Sequence, residues 1–209
     1  MQQGFGQFCP VALASEVLTQ RWSLLKTRLE ALERAEIIER RRVHDRDVDE
    51  YFLTRAGRDL RPVLRQIGEW GQRWARDIRP EDLDPGWLVW NIHRRLDTNE
   101  MPAGRTVIQI EFTDAPRNHK YFWLVHENGR VEVCLKSPGF EVSLVVKTTV
   151  RVMAEAWRGI RNLRTEIRAG RMVLEGPAPL RRAFPRWLLL STFAPVKRKR
   201  HASRSAAIS

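Results

Sequence analysis

The stretch IIERRRVHDRDVDEYFLTRAG, residues 37–57, decides how the first part of the chain folds. Residues 37–42 have the character of a strand, and residues 51–53 have the character of a strand that returns beside it. Between them, residues 44–49 are polar and predict a turn. A strand, a turn and a second strand in immediate succession predict a β-hairpin, and the neighbouring elements are placed around it.

This hairpin is basic, with arginines at Arg40, Arg41, Arg42 and Arg46. Alternate residues of a strand share a face, so Arg40 and Arg42 are both placed to contact a phosphate backbone. Such contacts give affinity without sequence information. Ordinary solvated strand charges are the alternative, because acidic residues in the turn and the second strand offset much of the positive charge. These are Asp45, Asp47, Asp49 and Glu50.

Helical periodicity flanks the hairpin on both sides. Pro10 to Trp22 predicts a short amphipathic helix, and Ser23 to Ala35 predicts a second helix whose exposed face carries basic and hydroxyl groups. After the hairpin, Thr54 is a suitable N-cap for a helix that runs to Asp77, with a bend in its first turns at Pro62. The apolar stripe of this last helix is large enough to require a partner.

Short motifs in a fixed order connect these elements. They are Cys9-Pro10, Gln20-Arg21-Trp22, Leu24 to Leu32, Ile37 to Arg42, Tyr51 to Thr54 with Gly57, and Pro62-Val63-Leu64 with Trp70-Gly71. Over residues 5–77 their order and spacing resemble the HxlR family of winged-helix transcriptional regulators. The resemblance implies a dimer held by terminal helices. In each subunit the recognition helix, here Ser23 to Ala35, enters the major groove, and the β-hairpin forms the wing beside it.

The resemblance assigns DNA contacts to the recognition helix and the wing, at Ser23, Lys26, Thr27, Arg28, Arg40, Arg42 and Arg46. A solvated helix face is the alternative for the helical positions. HxlR relatives include redox or electrophile sensors with a cysteine where Cys9 stands, just before a helix N-terminus that favours a thiolate. A small buried hydrophobe is the alternative for Cys9, because no second cysteine lies near it.

The chain departs from the HxlR pattern in two places. Trp22 is followed at once by Ser23, where relatives carry a further helix, a turn and part of the next helix. The helix-turn-helix is therefore expected to be partial, with less support behind the recognition helix. At Glu36, where relatives usually have glycine, a left-handed backbone is expected to cost on the order of 1 kcal/mol.

A second pattern begins at Asp84-Pro85, which starts an apolar helix that we expect to lie in the core. Four strands follow, with turn residues between them, and these predict an antiparallel meander. The second strand, Tyr121 to Val125, is expected to be more fully buried than the others. Two helices that stop at Gly159 and Gly170, a fifth strand at Met172 to Glu175 and a last helix at Leu180 to Leu190 complete the order.

This order, together with the motifs Trp157 to Gly159 and Leu174-Glu175-Gly176, resembles sterol-carrier-protein-like domains over residues 84–194. The resemblance implies an apolar tunnel between sheet and helices that binds a lipid or another hydrophobic small molecule. Candidate pocket residues are Trp90, Phe112, Trp123, Trp157 and Trp187. Ordinary core packing is the alternative for each of them taken singly.

The predicted fold class is therefore α+β, with a winged helix at residues 1–79, a sterol-carrier-like sheet and helices at residues 84–194, and a basic, disordered tail at residues 195–209. The net charge of +12, from 37 Lys and Arg against 25 Asp and Glu, favours a polyanionic partner. Two distant cysteines favour a reducing cytoplasm, and no apolar run is long enough to insert stably in a membrane. The tail is a second basic segment, with DNA or anionic lipid as possible partners.

The expected function is a dimeric regulator that binds double-stranded DNA and responds to an apolar ligand or to oxidation. The alternative is an apolar-ligand carrier whose N-terminal segment serves only dimerisation. An enzyme is not expected, because the five histidines stand at no metal-ligand spacing and the chain has no phosphate-binding glycine loop. We expect neither a cofactor nor a metal ion.

Overall fold

A computed structural model of the chain describes residues 25–43, 48–74 and 77–199. The chain divides into two compact units. The N-terminal unit contains the described residues up to 74 together with Arg198 and Lys199, and the C-terminal unit contains residues 77–197. The α+β fold class predicted from the sequence is confirmed in both units.

The N-terminal unit has helix, hairpin and helix in the predicted order. Its elements are α1 (Leu25–Arg34), β1 (Ile38–Val43), β2 (Val48–Leu53), α2 (Arg55–Asp59) and α3 (Arg61–Trp74). The two strands pair antiparallel with Ile38 opposite Leu53, which confirms the hairpin. A three-residue connection joins α1 to β1, so the predicted recognition helix leads directly into the wing.

The end of α1 has the backbone that the sequence predicted at Glu36, with a left-handed φ of 54°. The Glu36 N–H donates to the Glu33 carbonyl at 2.9 Å, and the Ile37 N–H donates to the Leu32 carbonyl at 2.9 Å. These two bonds form a Schellman motif, which satisfies carbonyl groups at the end of the helix. The motif requires the left-handed residue and explains why Glu36 accepts that conformation.

Thr54 fastens the wing to the helices on both sides. Its hydroxyl accepts from the Gly57 N–H at 3.1 Å, as an N-cap does, and donates to the carbonyl of Glu36. The Thr54 N–H also donates to the Ile37 carbonyl at 3.1 Å. A Cβ on Gly57 would lie 2.1 Å from the Ile37 carbonyl oxygen, so only glycine permits this close approach.

The prediction of one bent helix from Thr54 to Asp77 is wrong. The structure has two helices, α2 and α3, which meet at Leu60. Pro62 stands in the first turn of α3, where its missing N–H breaks no helical hydrogen bond. The proline therefore starts a new helix. The apolar periodicity in the sequence runs across both helices because each of them has apolar residues at helical spacing.

The C-terminal unit is a five-stranded sheet with helices. The helices are α4 (Pro85–His93), α5 (Val150–Trp157), α6 (Leu163–Arg168) and α7 (Ala178–Trp187). The strands are β3 (Thr106–Phe112), β4 (Tyr121–Glu127), β5 (Arg130–Cys134), β6 (Leu144–Thr148) and β7 (Met172–Glu175). Short 3₁₀ turns occupy Pro80–Asp82 and Arg117–His119. The last helix ends at Trp187, three residues before the predicted end.

The strand order is β5-β4-β3-β6-β7, so the predicted four-strand meander is wrong at its fourth strand. Strands β3, β4 and β5 do form a meander, but β6 pairs parallel to β3, with Ile108 opposite Leu144 and Ile110 opposite Val146. The reason is burial, since β3 is the most deeply buried strand and a meander would leave it at the edge of the sheet. With β6 beside it, β3 becomes the central strand.

Burial in β4 alternates along the strand and is less complete than in β3, so the expectation that β4 would be more fully buried than the other strands is also wrong. Phe122, Leu124 and His126 are buried, whereas the side chains between them are partly exposed. The core of the unit lies on the face that these residues share with Ile108, Ile110 and Phe112 of β3 and with buried residues of α4 and α5. Only one face of the sheet is therefore fully covered.

Helix α4 begins as predicted, because Asp84 accepts from the Trp87 N–H at 2.9 Å and Pro85 follows it. It is less buried than expected. Leu88, Val89 and Ile92 lie in the core, but Trp87 and Trp90 are exposed. A helix that covers one sheet face buries only the stripe directed at the sheet, so an all-round apolar sequence leaves two tryptophans in solvent.

Candidate nucleic-acid interface and ligand cleft

The predicted recognition helix corresponds to α1, which presents polar groups to solvent. Thr27 and Arg28 are exposed. Lys26 lies within α1, although its side chain is outside the described set. Ser23, Arg46 and Cys9 lie outside the described residues.

The wing arginines are exposed and stand close to carboxylates. Arg40 Nε lies 3.9 Å from Glu33 Oε1, and Arg40 Nη1 lies 3.6 Å from Asp49 Oδ2. Arg41 pairs with Glu39 and lies over the Phe52 ring at 5.0 Å. Arg42 is also exposed and is opposite Asp49 in the strand register.

These ion pairs are compatible with DNA contact because exposed pairs are weak. An exposed pair contributes typically about 0.2–1 kcal/mol, which a phosphate group can match or exceed. The unit is not strongly basic, however, since residues 1–79 contain 15 Lys and Arg against 12 Asp and Glu. Net charge alone therefore does not distinguish this unit as a nucleic-acid interface.

Helix α3 carries an apolar stripe that is exposed in the described part of the chain. Val63, Leu64 and Trp70 of α3 recur at helical spacing, and Leu60 immediately precedes the helix; Leu64 is 49% exposed and Trp70 40% exposed. Gly68 and Gly71 lie four and seven residues after Leu64, on the same side of the helix as Leu64, and they are buried, as is Gln72. Exposed large apolar side chains that recur along one helix form a surface suited to another protein.

The C-terminal unit contains a cleft of about 820 Å³. Its walls are the connection from α5 to α6, the end of α7 and the segment that follows α7. Apolar side chains line much of it, at Ile160, Leu163, Pro185, Leu188, Leu190, Ala194 and Pro195. A cleft of this size and composition has room for a drug-sized or lipid-like molecule.

Gly159 permits the two walls of the cleft to approach each other. It has a φ of 73°, and a Cβ at this position would lie 2.8 Å from the Ala194 Cβ. Two hydrogen bonds hold the segment that follows α7, which is the wall opposite Gly159. Arg95 Nε donates to the Leu190 carbonyl at 2.9 Å, and the Ser191 N–H donates to the Trp157 carbonyl at 2.8 Å. The cleft is thus a product of specific backbone contacts.

Three arginines line the cleft, and two of them are committed to the protein. Arg95 holds the Leu190 carbonyl, and Arg161 pairs with Glu155 and lies 3.7 Å from Glu166 Oε2. Arg164 is exposed and has no ion pair or hydrogen bond among the described residues. Asn162 is also occupied, since its Oδ1 accepts from the Thr165 N–H at 3.0 Å to cap α6.

The predicted pocket residues lie elsewhere. Phe112, Trp157 and Trp187 are buried in the core, Trp90 is 48% exposed, and Trp123 is partly exposed. None of the five lines the cleft described above. The glycine that ends α5 could be recognised in the sequence. Residues 190–195 and Arg164 could not be recognised as cleft residues, because the segment after α7 reaches the cleft only through tertiary contacts.

The carboxyl group of Glu166, near the cleft, forms ion pairs with arginines of the same unit. Glu166 is buried and accepts two bonds from Arg171, at 2.5 Å and 2.9 Å, and these bonds lower the pKa of its carboxyl group. Burial lowers the pKa of His93 on α4. Within the described part of the chain, no group of three or more His, Cys, Asp or Glu side chains is arranged to hold a metal ion.

Across residues 25–43, 48–74 and 77–199, no helix has the length and apolar character needed to cross a membrane. A comparison with curated protein sequences found no match.

Several solved structures are similar to part of the chain. The inverting sec-alkylsulfatase Pisa1 from Pseudomonas sp. is 21% identical over 53% of this chain, with a TM-score of 0.43, and the chain spans 17% of its length. The ubiquinone synthesis protein UbiJ-SCP2 is 17% identical over 48% of this chain and 88% of its own, with a TM-score of 0.37. Sterol carrier protein domain 2 of Helicoverpa armigera is 14% identical over 54% of this chain and 91% of its own, with a TM-score of 0.40.

Two of these three are sterol-carrier-type domains, the kind of domain that the sequence predicted for residues 84–194. All three TM-scores are below 0.5, and the fold of the C-terminal unit is defined by its own strand order. For the N-terminal unit the comparison is one of sequence families. Residues 11–79, which contain α1, the hairpin, α2 and α3, match the HxlR-like helix-turn-helix family, as the sequence motifs predicted.

Proposed function

We propose that the chain is a DNA-binding transcriptional regulator that acts as a homodimer. The observation that supports it most directly is the order of elements in the segment that matches the HxlR-like family. An exposed polar helix, α1, leads through three residues into a two-stranded wing. A recognition helix beside a wing is the arrangement by which winged-helix proteins contact the major groove and the adjacent backbone.

In this proposal the helix reads bases and the wing contacts phosphates. The contacts from the helix and its start are Ser23, Lys26, Thr27 and Arg28, and those from the wing are Arg40, Arg42 and Arg46. Arg40 exchanges its carboxylate partners, Glu33 and Asp49, for a phosphate when DNA binds. Because exposed pairs are weak, this exchange costs little.

The second protomer is proposed to cover the apolar stripe of α3. Three large apolar side chains of α3, Val63, Leu64 and Trp70, are exposed, and exposed apolar surface of this kind marks protein interfaces. A two-fold dimer places its two recognition helices about 34 Å apart, one turn of DNA, on a palindromic site.

The experiment compares salt dependence in matched variants. Duplex affinity is measured between about 50 and 200 mM salt for the parent, for R40Q/R42Q and for the control R55Q/R61Q, which removes two exposed arginines from α2 and α3. Removal of two phosphate-binding arginines lowers the log–log slope by about 1.8 in the wing variant and leaves the control near the parent. If the parent binds no duplex at low salt, the DNA-binding function is refuted. If the two variants have equal slopes, the wing does not contribute phosphate contacts.

The second candidate is an apolar-ligand carrier whose N-terminal unit serves only dimerisation, and the cleft of about 820 Å³ favours it. Native mass spectrometry of the purified chain detects a copurifying ligand. The variant A194W fills the cleft and is expected to lose that ligand, whereas R182W, at an exposed position of α7 outside the cleft lining, retains it. A ligand bound to a chain with no duplex affinity identifies the carrier, and no ligand in any sample rejects it.

Regulation of DNA binding, in the first proposal, comes from an apolar ligand in the cleft or from oxidation of Cys9. Neither proposal includes a catalytic step. The alkylsulfatase similarity covers only 17% of that enzyme's length, and its activity is not carried over to this chain.

A further inference from the structure

The last described residues of the chain join the N-terminal unit. The Lys199 N–H donates to the carbonyl of Arg73 at 2.8 Å. Arg73 is in the last turn of α3, where carbonyl groups have no donor within the helix. Lys199 therefore supplies a hydrogen bond that the end of α3 requires, and this bond fixes the position of Lys199.

The Lys199 side chain makes a second contact at the same place. Its ammonium nitrogen lies 5.5 Å from the centre of the Trp74 ring, within the range of a cation–π interaction. A cation at a helix C-terminus is also favoured by the helix dipole. Lys199 remains exposed to solvent, so its ammonium group can still donate to an anion.

The C-terminal segment that contains Lys199 has a larger net positive charge than residues 1–79. Residues 195–209 contain five basic residues, Lys197, Arg198, Lys199, Arg200 and Arg204, and no acidic residue. Residues 1–79, with 15 basic and 12 acidic residues, have a smaller net positive charge. In the wing, moreover, Arg40 and Arg41 already face carboxylates.

We infer that the basic run Lys197–Arg200 is a further phosphate-binding element of the DNA-binding unit, anchored at the end of α3 by Lys199. The inference rests on the proposed DNA-binding function. The tail thus adds sequence-independent affinity to the contacts proposed for α1 and the wing, and it does so most strongly at low salt.

The test separates local contact from net charge. K197Q/R198Q/K199Q/R200Q is compared with R117Q/K136Q/R181Q/R182Q, which removes four exposed charges from the C-terminal unit and changes the net charge equally. The probe is a mixed-sequence duplex of about 30 base pairs, long enough for two half-sites. Affinity is measured by fluorescence anisotropy across the same range of salt.

Neutralising one phosphate-binding residue lowers the log–log slope by about 0.9. If two or three residues of the run bind phosphates, the tail variant therefore lowers the slope by about 2–3 and the affinity at physiological salt roughly 10- to 100-fold. The control variant is expected to keep the parent slope.

Equal slopes in the two variants overturn the inference alone, whereas a parent with no duplex affinity at low salt overturns the DNA-binding function as well. A tail variant that keeps the parent duplex slope but no longer binds phosphatidylserine vesicles also overturns the inference, because the basic run then serves a lipid surface.

Discussion

Replacing Thr54 with valine tests whether the junction between α1, the wing and α2 holds the DNA-binding unit together. The change keeps the β-branched shape and removes the hydroxyl. Loss of the N-cap bond to Gly57 costs about 1 kcal/mol, and loss of the bond to the Glu36 carbonyl costs about the same. The expected destabilisation of about 2 kcal/mol corresponds to roughly 30-fold more frequent opening of the unit.

The assay is amide hydrogen exchange of peptides from residues 25–74, because exchange reports the stability of this unit separately from the other. The control is T27V, which removes an exposed hydroxyl from α1 and should change stability by no more than about 0.5 kcal/mol. T27V is expected to weaken duplex binding without faster exchange, whereas T54V produces both effects. Exchange in T54V no faster than in T27V refutes the role of the junction.

Three other outcomes are expected. L64E converts the dimer to a monomer in light scattering while Q66E, its neighbour on α3, does not, and an unchanged mass for L64E removes the α3 stripe from the interface. Alkylating Cys9 in a C134S chain lowers duplex affinity, and unchanged affinity excludes the sensor. Because Arg171 lowers the pKa of Glu166, its ion pair stabilises the fold above about pH 4.5 and this stabilisation is lost as pH falls through the lower folded-state pKa. E166Q abolishes that dependence and costs about 1–3 kcal/mol at neutral pH, so parallel pH–stability curves for parent and variant contradict it.

Local signals in the sequence predicted local structure well. The hairpin at residues 38–53, the cap at Thr54, and the cap and proline at Asp84 and Pro85 were all legible, since each depends on residues that are close in the chain. The left-handed backbone at Glu36 was also predicted, from the place where HxlR relatives have glycine. Such features involve few alternatives, because a cap or a turn has a small set of permitted residues.

Non-local pairing was not predictable in the same way. The sequence shows four strands with turn residues between them, but it does not show that β6 returns to β3, because strand neighbours depend on which strand must be buried on both edges. The cleft is a similar case. Its two walls are brought together by Arg95, Ser191 and Gly159, whose partners are distant in sequence, so local sequence patterns do not show where it lies.

The two units differ in how they are stabilised, and this difference bears on the proposed function. The C-terminal unit has a continuous apolar core that spans all five strands and all four of its described helices. Among the described side chains of the N-terminal unit, Ile38 is the only buried large apolar one. A small unit with so little buried surface is marginally stable by itself. We therefore expect dimerisation through α3 to contribute to folding as well as to operator spacing. Duplex binding should then depend more steeply on protomer concentration than the binding of a stably folded monomer would.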